Sequence, residues 1–260
     1  MPASPSLRFI ASTAIALLLP LAGCDAFEAI EAFEEDSNLL EVLSAHHGTP
    51  VDGAFPELGI EDGPRIFEND LGWTVNLTAG YAVVTHVAVT SCKGVDTDLD
   101  AIWGHFAEDF TDLDLDTTVV ASKRVAAGLY CELRMTYGPY DPDVVGASGS
   151  AHTPPDDPEV VGASVYLKGF ANKGDQQVSF ELRSTGTAVA AIDISTLEDG
   201  EPVRVVKENF SEQITISKAY DRIFDGVDFA TFDPAALEAE MPDRVAAVSR
   251  PSAGNRVEIY

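Results

Sequence analysis

Three histidines are spread along the middle of this chain: His86 in a valine-rich run, His105 in Trp103-Gly104-His105-Phe106, and His152 in a proline-rich stretch. Imidazole suits copper and zinc, so convergence of a strand and two loops on one point would make a metal centre. The competing expectation is no cofactor, with each ring packed or exposed on its own. Cys92 and Cys131 offer a second chemistry. Once Cys24 is set aside they are the remaining cysteines, and an even number in an oxidising compartment predicts a disulfide. The alternative, two thiolates in a copper or zinc site, calls for nearby histidines and usually closer spacing.

Other constellations are weaker. Asp96-Thr97-Asp98-Leu99-Asp100 and Asp112-Leu113-Asp114-Leu115-Asp116 begin like calcium loops. Such a loop needs Gly at its sixth position and Glu at its twelfth. Here those positions are Ala101 and Ala107 in the first case, Thr117 and Lys123 in the second. The second triplet reads better as an edge strand with a solvated carboxylate face. Gly146-Ala147-Ser148-Gly149-Ser150 approaches a nucleophile elbow, but its second glycine comes one place early and no strand-turn-helix pattern surrounds it. No P-loop, dinucleotide fingerprint, H-E-x-x-H or C-x-x-C occurs. No catalytic residue is assigned, and the expectation is a protein of binding or structural type rather than an enzyme.

These groups must be positioned by strands. In Gly72–Cys92, Trp73, Val75 and Leu77 alternate with Thr74 and Asn76; Val83, Thr85, Val87 and Val89 then alternate with Val84, His86, Ala88 and Thr90. Its natural partner is Arg124–Tyr137, where Leu129, Cys131, Leu133, Met135 and Tyr137 share one face. Cys92 falls on the His86 face and Cys131 on the apolar face, so a disulfide requires a strand end or a bulge near Cys92. Further strands are predicted over 163–170, 177–183, 187–194, 203–207 and 213–217, joined by tight turns. Their spacing predicts a mainly β chain, an antiparallel β-sandwich with short N-terminal and C-terminal helices.

The N-terminal helix is predicted over Asn38–His47, capped by Ser37 and placing Leu39, Leu40 and Leu43 on one face, with His46 and His47 at its end. The C-terminal helix starts at Asp233-Pro234 and runs to Met241, where Pro242 ends or kinks it. Tyr220–Phe224 reads as one helical turn. The domains that follow are 1–23, a signal peptide; 24–64, an acidic tether with a short helix and loop; and 65–260, the sandwich, with a Pro/Gly-rich loop at 138–162. In that loop Asp141–Ser148 returns as Asp157–Ser164 with one change, Asp143 to Glu159. This is a local duplication, and the loop is expected to be disordered or functional.

The first residues carry one positive charge, then a short apolar run, then Leu21-Ala22-Gly23-Cys24. That run falls short of the roughly 20 residues of a membrane-spanning helix and has the shape of a secretory signal. Its last four residues resemble the lipobox of bacterial lipoproteins. The resemblance implies cleavage before Cys24, acylation of its thiol and amino group, and a cell-envelope protein anchored extracytoplasmically to an inner or outer membrane. Two or three acyl chains hold a protein stably where one does not. Val125–Leu133 is similar to the apolar-x-x-Gly-x-Tyr strand of prealbumin-like sandwiches, which implies a binding or structural module. With 43 acidic against 16 basic residues and a formal charge of −27, the chain repels phosphate backbones, which argues against nucleic acid. The partners expected are the membrane, through the lipid, and an envelope protein whose identity the residues do not specify.

Overall fold

The computed structural model describes residues 37–49, 63–154 and 158–257. The signal peptide, the lipobox with Cys24, and the parts of the predicted tether at 24–36 and 50–62 lie outside the described residues. Among the described residues no helix is long and apolar enough to cross a membrane.

Two sheets pack face to face. The smaller one contains β1 (Ser37–His47), β5 (Asp100–Ala101), β7 (Thr118–Ala126), β13 (Glu212–Ala219) and β14 (Ser249–Ala253), in the order β14-β13-β1-β7-β5. The larger one is organised on β3 (Thr74–Ser91). Its main order is β10 (Gln176–Ser184), β9 (Val165–Lys173), β3, β8 (Gly128–Tyr137), β11 (Ala188–Asp193). Short strands extend it: β2 (Arg65–Glu68), β4 (Asp96–Asp98) and β6 (Phe106–Asp109) pair with β3, and β12 (Val203–Val205) with β8. All pairings are antiparallel except β1 with β13, which is parallel. The helix α1 (Pro234–Ala247) buries Leu237, Met241 and Val245 in the core.

Two bulges re-aim the 18 residues of β3. Against β9 the register skips Thr78, and against β8 it skips Thr85. Each extra residue flips the alternation. Val75 and Leu77 therefore face the main core, then Ala82 and Val84, then Val87 and Val89. Val83, expected on that inner face, lies instead with Tyr81, Ala107 and Tyr166 on the outer face. Tyr140, Val160 and Ala163 cover them, so the two ends of the Pro/Gly-rich loop pack on the sheet while 141–150 is mostly exposed. The loop is tied down by Ala147 N to Ala101 O and His152 N to Trp103 O.

A third bulge explains the disulfide. Thr90 pairs with Glu132 and Ser91 with Tyr130, leaving Cys131 as the extra residue on β8. Below it Tyr130 turns inward and Leu129 outward, opposite to the alternation read from sequence. Cys131 meets Cys92 there, with Cα atoms 4.9 Å apart. The Tyr130 hydroxyl donates to Ala126 O at 2.9 Å and closes the corner where the chain passes from the small sheet (β7) to the large one (β8).

Three predicted elements are corrected. Residues 37–47 are a central strand, not a helix. Leu40 and Val42 face the core while Leu43, Ala45 and His47 are buried on the other side. A strand covered on both faces loses the period-2 signal and reads like a short helical stripe. Asn38, placed in the first turn of that helix, instead sends its amide to Val206 O and Asn209 O. Residues 112–116 are irregular turns rather than an edge strand. Finally, Pro242 sits inside α1, which continues to Ala247. The helix forgoes the bond to the Glu238 carbonyl, and the anchoring of Met241 and Val245 carries it on.

Candidate functional site

Alternation along β1 puts Ser44 and His46 on the inner face, and the parallel register sets His46 beside Lys218 of β13. Lys218 follows Ile214 and Ile216 on the same face, so its ammonium enters the sandwich; it has no solvent exposure. Opposite, β6 contributes Glu108. Lys218 Nζ donates to Glu108 Oε2 and to Ser44 Oγ. Ser44 gives its own hydrogen to Glu108 Oε2 at 2.6 Å, and His46 Nδ1 lies 3.2 Å from Glu108 Oε1.

The turn after β6 completes the network. Leu115 adopts a positive φ of 68° and donates its N–H to His46 O, a left-handed conformation uncommon for a branched residue. It carries Asp114 inward. Asp114 lies 3.3 Å from Arg65 Nε and receives the Tyr220 hydroxyl at 3.0 Å and Gly48 N at 3.3 Å. His46 Nε2 faces Asp112 O at 3.2 Å. Both neighbours of that ring, a carboxylate and a carbonyl, can only accept.

Burial opposes the charge of Glu108, but the Lys218 ammonium and the His46 bond outweigh it and hold the carboxyl at about 2. Burial pulls Lys218 below the usual ammonium range, and Glu108 works against that pull. Burial, reinforced by Asp114, raises the Tyr220 phenol and keeps it a donor. A serine beside a lysine invites a nucleophile reading. Here the group that takes the hydroxyl hydrogen is the Glu108 carboxylate, and a carboxyl held at about 2 is a weak base for activating Ser44.

Above this floor opens a cleft of about 320 Å³. Trp103, Phe106, Leu113 and His152 form apolar and aromatic walls, and Asp109, Asp112 and Asp116 form a rim. Each rim carboxylate has Oδ1 tied to a backbone N–H, of Thr111, Leu113 and Thr117 respectively. His152 stacks on Phe106 at 4.6 Å and accepts from Ala107 N through Nδ1. Burial lowers its pKa, so the ring is neutral and Nε2 carries the hydrogen.

The three histidines proposed for copper or zinc sit in separate surroundings. His86 pairs with Asp98 at 3.2 Å on the solvent side, His105 accepts from Asp141 N, and His152 lines the cleft. Among the described residues no three His, Cys, Asp or Glu side chains are placed to hold a metal ion. The buried network was missed because His46 was read at a helix end. A usable signal was present in Gln213–Ala219, where alternation alone puts Lys218 on the face of Ile214 and Ile216.

No family model and no curated protein matches the chain. Among solved structures it is similar to MbnP from Methylosinus trichosporium, at 13% identity and a TM-score of 0.41, over 84% of this chain and 99% of that one. A likeness at that level carries no argument about function.

Proposed function

We propose that the chain is an extracytoplasmic binding module, held on a membrane of the bacterial envelope by a lipid on Cys24, and that its ligand is an organic cation seated in the cleft above Glu108. The disulfide supports a position outside the reducing cytosol, and Leu21-Ala22-Gly23-Cys24 supports the anchor. The observation that carries the binding reading is the cleft itself. Ser44, His46 and Glu108 at its floor bond to Lys218 or to one another, while Asp109, Asp112 and Asp116 line the same cleft as the Trp103 and Phe106 rings. Negative charge beside a π face is the combination that holds an ammonium or guanidinium group.

Two measurements test this. Mass spectrometry of the N-terminal peptide from membranes is expected to find residue 24 acylated; an unmodified thiol overturns the anchor. Titration with tetramethylammonium and with arginine amide, followed by Trp103 fluorescence, is expected to saturate. Saturation, followed by calorimetry for the variants, should be lost in Trp103→Leu and weakened severalfold in Asp112→Asn. Absence of saturable binding by the parent chain overturns the cleft assignment.

A further inference from the structure

One end of the sandwich departs from the rest of this acidic surface. The described chain begins there, at Ser37 paired with Ala126. Asn38 fastens the loop after β12 through Val206 O at 2.8 Å and Asn209 O at 2.9 Å. At the tip of that loop Phe210 is 95% exposed, more than any other large apolar side chain among the described residues. Next to it the β7–β8 corner presents Ala126-Ala127-Gly128-Leu129, four consecutive exposed residues without charge. Pairing of Val205 with Gly128 and Arg204 with Leu129 brings loop and corner together. Cys92 N donates to Leu129 O, which adds the turn carrying Val95, 61% exposed. Arg124, Arg204, Lys207 and Lys93 belong to or adjoin these segments in the chain, so the end is closer to neutral than the chain as a whole, with its 16 Lys and Arg against 43 Asp and Glu. Asp96, Glu132, Glu198, Glu208 and Glu212 share the same end.

We infer that this end rests on a phospholipid bilayer, with Phe210 inserted below the headgroups and Val95 and Leu129 at the interface. The inference depends on the anchor reading in one respect: twelve residues, 25–36, separate Cys24 from Ser37, a reach of at most about 45 Å. A lipid on Cys24 therefore keeps this end, and not the whole surface equally, close to the membrane. Burying one phenylalanine favours the membrane-bound state only about ten- to a hundredfold. That is too little to recruit a protein from solution and enough to orient one already tethered, since the tether makes the contact intramolecular. Arginine and lysine flanking an apolar tip meet lipid phosphates while their stems lie along the acyl boundary.

The test uses the chain from Cys24 onward, coupled through that thiol to a maleimide lipid in phosphatidylcholine vesicles; the other two cysteines are joined to each other. Phe210→Trp is compared with Val189→Trp, whose position pairs with Thr136 at the far end of β8. Emission above that of the parent is read with and without brominated lipid. The expected result is at least about twofold quenching at position 210 and none at 189. No quenching at 210, or equal quenching at both positions, overturns the orientation. Because the lipid is supplied chemically, that outcome is separate from whether the natural thiol is acylated, which the mass measurement decides.

Discussion

The interior is filled by two kinds of chemistry that meet at Tyr220. On one side, among β3, β10 and α1, it is aromatic: Phe180, Phe224 and Phe229 have ring centroids 5.3 to 5.9 Å apart, and Trp73 meets Phe229 edge-on at 5.7 Å. On the other, Lys218, Glu108, Ser44, His46, Asp114 and Arg65 form a connected ionic network. Tyr220 touches both, packing on Phe67 at 5.7 Å and on His46 at 6.2 Å. The aromatic half draws its stability from area removed from water, which does not depend on pH. Desolvation of the ionic half's charges largely cancels their attraction, so its intact network adds little net stability while each missing member costs much. What the second half provides is a fixed polar floor beneath the cleft.

That contrast can be broken most severely at Lys218. Lys218→Met is expected to cost about 3–5 kcal/mol in chemical denaturation at neutral pH, because it strands the buried Glu108 carboxylate. The double change Lys218→Met, Glu108→Leu should recover most of the loss; equal losses in both would remove the claim that the stranded charge is the cause. Phe224→Ala in the aromatic half is expected to cost about 3–5 kcal/mol as well, with no double-change rescue and the same value at pH 7 and pH 4. Opening Cys92–Cys131 to serines should lower stability by about 4 kcal/mol through the freedom returned to the unfolded chain. The same loss above and below pH 4 would tie it to the large sheet rather than to the network.

pH itself separates the halves. Glu108 has a folded value depressed to about 2 from 4.5. Its contribution is therefore fully present above pH 4.5 and is lost as pH falls from there toward 2. The expected result is an acid limb in the denaturation midpoint of the parent that is reduced in Glu108→Gln. At the other extreme, burial raises the phenols of Tyr137 and Tyr220. Stability should fall above pH 10, with those two phenolates appearing in the ultraviolet only as the fold opens. The smallest effect belongs to the surface. Asp233 caps α1 through Ala235 N at 3.0 Å, so Asp233→Ala should cost about 1 kcal/mol.

Strands such as β10, β11 and β12 were legible because each has one wet face, so Val178, Phe180 and Leu182 advertise their alternation. The start of α1 was legible because Asp233-Pro234 is a local signal that acts within one turn. β1 was not, since burial on both faces erases the periodicity. The inward side of β3 was not either, because a bulge is set by the partner strand and leaves no mark in its own residues. The cleft was legible only in pieces. Trp103 and His152 stood out as types, whereas Asp114 and His46 acquired their roles from the turn at Leu115 and the register of β1 on β13.

By itself the order of residues determined the dominance of strands, the pairing of two cysteines and the anionic composition. All of these are properties of composition or local periodicity. Tertiary structure alone decided that Lys218, Glu108 and His46 meet, that one-residue slips between paired strands choose which side chains face inward, and that Phe210 stands where the chain arrives at Ser37. Those depend on contacts between segments up to about 170 positions apart, and the free energy of such contacts exists only once the sheets have closed on each other.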